Sequence, residues 1–151
     1  MKKILSIGFL LFAVICFSSC LKAGLDDLPV YEEAEVSNVR FEYRWWDEAA
    51  KRLRVVTITT AKEFNGSTVT CTLTLPNANN TFTQAIRDQV SLSNIVCSLD
   101  ISTAARVEPV NGAPQLGTPA DFSSRDFSYL VTAADGKTKK EWTIKIAELK
   151  K

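Results

Sequence analysis

The sequence predicts an all-β protein: one antiparallel β-sandwich that follows a cleaved leader and a short acidic tether. Three observations carry this reading. Apolar and polar residues alternate with a period of two in several short segments, as half-buried strands require. Turn residues such as Asn65-Gly66 and Asp135-Gly136 punctuate those segments. The first 35 residues differ in composition from everything after them. These features divide the chain into residues 1–19, 20–35 and 36–151.

The leader comes first. Met1-Lys2-Lys3 is a short positive region, Ile4 to Phe17 is an apolar core, and Ser18-Ser19 are small residues before Cys20. This is the layout of a secretory signal peptide, and the apolar stretch is shorter than the roughly 20 residues that span a bilayer. Leu21 to Glu35 follows, with acids at Asp26, Asp27, Glu32, Glu33 and Glu35 against the single base Lys22, and with Gly24 and Pro29 breaking any period. Such a segment buries too little apolar surface to fold alone and reads as a solvated tether of about 20 Å.

The strands begin at Val36. Phe41, Tyr43 and Trp45 fall on one face of an extended segment; Arg40, Glu42, Arg44 and Trp46 fall on the other. Asp47 to Lys51 is a polar turn, Arg52 to Thr60 a β-branched strand, and Lys62 to Ser67 a turn around Asn65-Gly66. In Ser67 to Leu75, Val69, Cys71, Leu73 and Leu75 oppose four threonines. Pro76 ends that strand, and Phe82 to Val90 reads as a short helix or an irregular crossing. Ser93 to Ser102 places Ile95, Cys97, Leu99 and Ile101 on one face. Pro109 to Pro119, rich in Pro and Gly, reads as a surface loop. Phe127 to Ala133 and Lys139 to Ala147 form a hairpin about Asp135-Gly136, expected as a two-residue type I′ turn that sets Tyr129 opposite Trp142 and Phe127 opposite Ile144. Six or more short strands with little helix, in about 115 residues, indicate a sandwich of immunoglobulin-like type.

Two resemblances add to this. Phe17-Ser18-Ser19-Cys20 resembles a bacterial lipobox, with Phe and Ser where Leu and Gly or Ala are usual. It implies that Cys20 becomes the mature N-terminus and carries the lipid, and Leu21 in place of Asp implies sorting to the outer membrane. The acidic cluster after Cys20 also resembles a surface-export signal, placed later than usual. Ser102 to Gly112, then Asp121-Phe122-Ser123 and Tyr129 to Ile146, resemble the Ig-like domains of unknown function found in Bacteroidota surface lipoproteins. That resemblance covers roughly the last 80 residues. It implies the fold and a cell-surface setting, periplasmic or external, and assigns no catalytic or ligand residue.

Composition excludes several chemistries. The chain has 18 Lys and Arg, 17 Asp and Glu, and no His. Without His there is no Ser-His-Asp or Cys-His catalysis and no His-ligated metal. Near-neutral charge argues against nucleic acid, whose binding needs a basic surface. Asp121, Asp126 and Asp135 lack the spacing of a Ca²⁺ loop. Lys137, Lys139 and Lys140 read as a solvated strand end. Cys71 and Cys97, both on apolar faces, are candidates for a disulfide in an oxidising envelope; two buried thiols are the alternative. Trp46 beside Arg44 on a polar face is a candidate sugar-stacking contact; a Trp capping the core edge is the alternative. Trp45 and Trp142 share faces with other apolar residues and read as core. The expected protein is therefore a non-enzymatic binding module without cofactor or metal, held to the membrane through Cys20, with a glycan or an envelope protein as ligand. The other reading is a structural or assembly subunit, fimbria-like or accessory to a transport complex.

Overall fold

The alternation written in the sequence becomes seven strands in the computed structural model, which describes residues 30–151. The leader, Cys20 and most of the tether lie outside the described residues. In chain order the elements are β1 (Val36–Asp47), β2 (Arg52–Asn65), β3 (Thr68–Thr74), α1 (Gln84–Gln89), β4 (Val96–Ile101), β5 (Arg106–Val110), β6 (Asp126–Thr132) and β7 (Lys139–Lys150). Hydrogen bonding joins the strands in the order β4-β1-β2-β3-β7-β6-β5. The sheet is mixed, which corrects the expected all-antiparallel arrangement: β3 and β7 run parallel, with Val69 opposite Ile144. The crossover between them is long, passing through α1 and three strands, and parallel pairing needs such a connection.

β2 is longer than its sequence suggested and changes partner halfway. Arg52–Ile58 pair with β1, whereas Thr59–Asn65 pair with β3. Lys62 to Asn65, expected in a turn, are strand because the hairpin is tight: Asn65 pairs with Thr68, and Gly66 takes the positive φ of 60°. The segment 111–125 then bends from β5 back to the opposite edge. Gly117 N–H donates to the Cys97 carbonyl, and Ile95 and Ala120 exchange backbone bonds. Phe122 meets both Phe41 of β1 (5.9 Å) and Phe127 of β6 (5.0 Å), edge to face. The sheet thereby nearly closes into a barrel.

The inner face collects the residues that alternation assigned to it. Phe41 and Tyr43, Val69, Cys71 and Leu73, Tyr129 and Val131, and Trp142 and Ile144 are all buried. The hairpin register is as expected, Tyr129 opposite Trp142 and Phe127 opposite Ile144. Its turn is not. Four residues, 134–137, connect the Ala133–Thr138 pair, and only Gly136 has positive φ. Asp135 instead uses its carboxylate to accept from the backbone N–H of Lys137 (2.8 Å) and Thr138 (2.9 Å). A two-residue and a four-residue loop centred on the same peptide give one register, so the pairing was legible although the turn was not.

Three further elements differ from expectation. Pro109 and Val110 belong to β5, not to a loop, because β5 is the sheet's last strand and a proline there forfeits no ladder bond on its open side. β4 begins at Val96 after a single 3₁₀ turn, Leu92–Asn94. Phe82 to Val90 contains α1, capped by Thr83 Oγ1 accepting from Ile86 N–H, with Phe82 and Val90 buried on either side.

The two ends of the sheet have distinct roles. At the entry end, where the chain joins β1, the last tether residues are seated against the domain. Ala34 is buried and its carbonyl accepts from Trp142 Nε1 (3.0 Å), while Glu35 pairs with Lys140 (2.7 Å). Lys140 also lies 4.5 Å from the Trp142 ring centre. It is therefore part of a clasp and not simply a solvated strand end. At the far end lie the β1–β2 turn, α1 and the 111–125 segment.

Candidate functional site

Twelve residues of β1 carry the chain from the entry end to the far end, about 36 Å at the usual rise per strand residue. There β1 turns into β2, and Asp47 organises the turn. Its Oδ1 accepts from Ala50 N–H (3.0 Å) and its Oδ2 from Arg54 Nε (3.0 Å). The Ala50 N–H, followed by the Arg54 guanidinium, holds the Asp47 carboxyl below its ordinary value, so it is a carboxylate at neutral pH. Beside this turn, α1 and the segment leading to it cross the end of the fold. Lys151 Nζ donates to the Asp88 carbonyl and Arg87 Nε to that of Pro76 (2.9 Å each), which pins the crossing in place.

Between the turn and the crossing segment is a cleft of about 570 Å³. Trp45, Trp46, Asp47 and Arg54 line one side; Asn80, Thr81, Thr83 and Gln89 line the other. Trp45 is held by rings, stacked on Tyr43 at 6.0 Å and tilted against Phe82 at 5.6 Å. Trp46 is 54% exposed. The cleft thus combines an aromatic surface with a fixed carboxylate–guanidinium pair, amides and hydroxyls. That set can stack on an apolar ring face and exchange hydrogen bonds with hydroxyl groups. Among the described residues no group of three or more acidic or thiol side chains is placed to hold a metal ion.

Of the sequence-predicted residues, Trp46 lines this cleft and Arg44 does not. Arg44 donates from Nε to Glu42 (2.6 Å) and from Nη1 to the Gly117 carbonyl (3.0 Å), so its guanidinium ties β1 to the 111–125 segment. Cys71 and Cys97 are buried free thiols. Burial pushes the Cys71 thiol up to about 11, and burial with the neighbouring Cys71 pushes Cys97 further. Cys20 lies outside the described residues. Asp121 and Asp135 sit at opposite ends, each accepting from a local backbone N–H. Sequence reasoning missed Asp47, Arg54 and the residues 80–89 as a group. They are far apart in the chain, and no local pattern marks a crossing segment as the wall of a cleft.

A family model described as DUF5018-related matches residues 36–145. A crystal structure of a Bacteroides fragilis protein, called a "putative secreted protein", matches with 40% identity over 82% of this chain and 100% of that one, at a TM-score of 0.70. A second crystal structure, of a Bacteroides thetaiotaomicron "putative glycoside hydrolase", matches with 22% identity over 83% of this chain and 27% of that one, at a TM-score of 0.48. That likeness is too slight to carry an argument. Nothing among curated proteins matches the chain.

Proposed function

The chain belongs to the DUF5018-related family, and on that premise we propose that it is a lipid-anchored, non-enzymatic module of the outer membrane that binds a glycan in the cleft at its far end. The observation that carries the reading is the position of that cleft. The tether enters at one end of β1 and the aromatic, hydroxyl-matched cleft lies at the other, so an anchor at Cys20 would present the cleft away from the lipid. The likeness to a protein called secreted supports export of the chain. We read the curved seven-strand sheet as immunoglobulin-like, with β2 passing from one layer to the other where it changes partner. The absence of His supports a role without nucleophile–base chemistry.

The test is a glycan array followed by calorimetry with the best oligosaccharide, on the wild type and on Trp46→Ala and Asn80→Ala. Binding that both substitutions weaken supports the reading. A folded, lipidated protein that binds no glycan on the array sinks it.

A further inference from the structure

The outer face of β1 and β2 carries a strip that the cleft does not explain. Trp46 stands opposite Leu53, and Arg44 opposite Val55. Trp46, Leu53 and Val55 are all more than half exposed. They sit beside an open stretch of backbone. The last β2–β3 pair is Thr59 with Thr74, so Arg52–Ile58 are bonded on their β1 side alone. Among the described residues no backbone hydrogen bond from another segment reaches their other edge. Pro76 keeps β3 from continuing alongside, because it cannot donate to the ladder.

Val36–Arg40 of β1 are likewise bonded on one side alone, to β4, but there Asn38 Oδ1 takes the Val39 N–H and the Lys62 ammonium, a charge that resists pairing. The two outer edges of the sheet are shielded in part. The 111–125 segment bonds over the start of β4 at Ile95 and Cys97. β5 is five residues long, contains Pro109, and bears Arg106 and Glu108. Short, charged, proline-bearing edges resist strand pairing, and the seven-residue Arg52–Ile58 edge has none of this protection against pairing except two arginines, of which Arg54 is bonded to Asp47.

We propose that the Arg52–Ile58 edge accepts an extended polypeptide segment of a partner protein, one whose alternate side chains are apolar. An open strand offers N–H and C=O groups at every second residue, a repeat that only another extended backbone matches along its length. The apolar strip sets the register, since a slip of one residue would turn the partner's polar side chains onto Trp46, Leu53 and Val55. A second copy of the chain is the poorer occupant. Antiparallel pairing of two β2 edges points the two entry ends in opposite directions, which the proposed anchoring in one membrane opposes; on this point alone the choice of occupant rests on that reading. This surface shares Trp46 and Arg54 with the cleft; what it uses beyond that site is the backbone edge of β2 with Leu53 and Val55, and not the crossing segment 80–89.

Amide exchange and ¹⁵N–¹H spectra of the chain lacking residues 1–20 test the proposal, since among the described residues the buried core begins at Ala34. The probe is a blocked seven-residue peptide alternating threonine with valine or leucine. Alternate amides of Arg52–Ile58 are expected to exchange at least about 100-fold faster than those bonded to β1. Peptide at about 1 mM should shift those amides and the Trp46 indole N–H and slow their exchange; Val55→Lys should weaken binding at least about tenfold while Asn80→Ala leaves it unchanged. The proposal is overturned by a folded protein whose edge amides neither shift nor gain protection, by shifts confined to residues 80–89, by an inert Val55→Lys, or by protection that grows with protein concentration alone.

Discussion

Two neighbouring tryptophans at the end of β1 have opposite environments. Trp45 is packed between Tyr43 and Phe82, while Trp46 keeps more than half its surface in solvent. Trp46→Ala should therefore change stability by no more than about 0.5 kcal/mol, yet lower the affinity for a bound oligosaccharide at least about tenfold, as calorimetry on a folded variant would show. Tyr129 is buried with its hydroxyl donating to the Pro114 carbonyl at 2.9 Å. Tyr129→Phe leaves that carbonyl without its partner and should cost about 1–2 kcal/mol in a urea titration. Burial also raises the acid groups of Tyr129, Cys71 and Cys97. A raised acid pKa means that the unfolded chain loses its proton first as pH increases. The contribution is complete below pH 9.0, the ordinary thiol value, and declines as pH rises toward about 11, where Cys71 ionises in the folded protein. Unfolding midpoints at pH 7, 9 and 10.5 should fall in that order, and a flat profile would contradict the buried thiols.

Among the elements, those with strict alternation were legible and those defined by their neighbours were not. Val69, Cys71 and Leu73 face inward as their spacing requires. β5 escaped notice because five residues containing Pro109 carry no strand pattern; only pairing with β6 makes them a strand. The length of β2 was hidden for a related reason: its last residues, Ala61 to Asn65, are mostly polar and exposed and run straight into the Asn65-Gly66 turn signal. The β6–β7 connection offers a direct check. Gly136 has a φ of 70° and open space around its Cα, so a methyl group there meets strain in the backbone and not a clash. Gly136→Ala should lower stability by about 1 kcal/mol, read by thermal unfolding, while the Tyr129–Trp142 pairing persists in the spectrum.

For the molecule as a whole, the entry clasp and the far cleft define an axis. Trp142, Lys140 and Ser102 hold Ala34 and Glu35, so any pull on the tether is delivered at one end of the domain. Cys20→Ala should leave the fold intact, because among the described residues the core begins at Ala34, well beyond Cys20, and should move the protein out of the membrane fraction. Mass spectrometry of the wild type should find an acylated Cys20 at the mature N-terminus. A different N-terminus, or an unmodified thiol, would remove the basis for the anchoring proposal.

The sequence alone determined the all-β class, the inward set of side chains, the register of the β6–β7 hairpin and the expectation of an exported chain. Each of these follows from residues close together, through alternation, turn chemistry or the order of charged, apolar and small residues. The tertiary structure alone decided the parallel β3–β7 pair, the change of partner along β2, the closing segment at Phe122 and the cleft. Those depend on which distant segments meet, and a pattern with a period of two specifies which face is buried without specifying the neighbour that buries it.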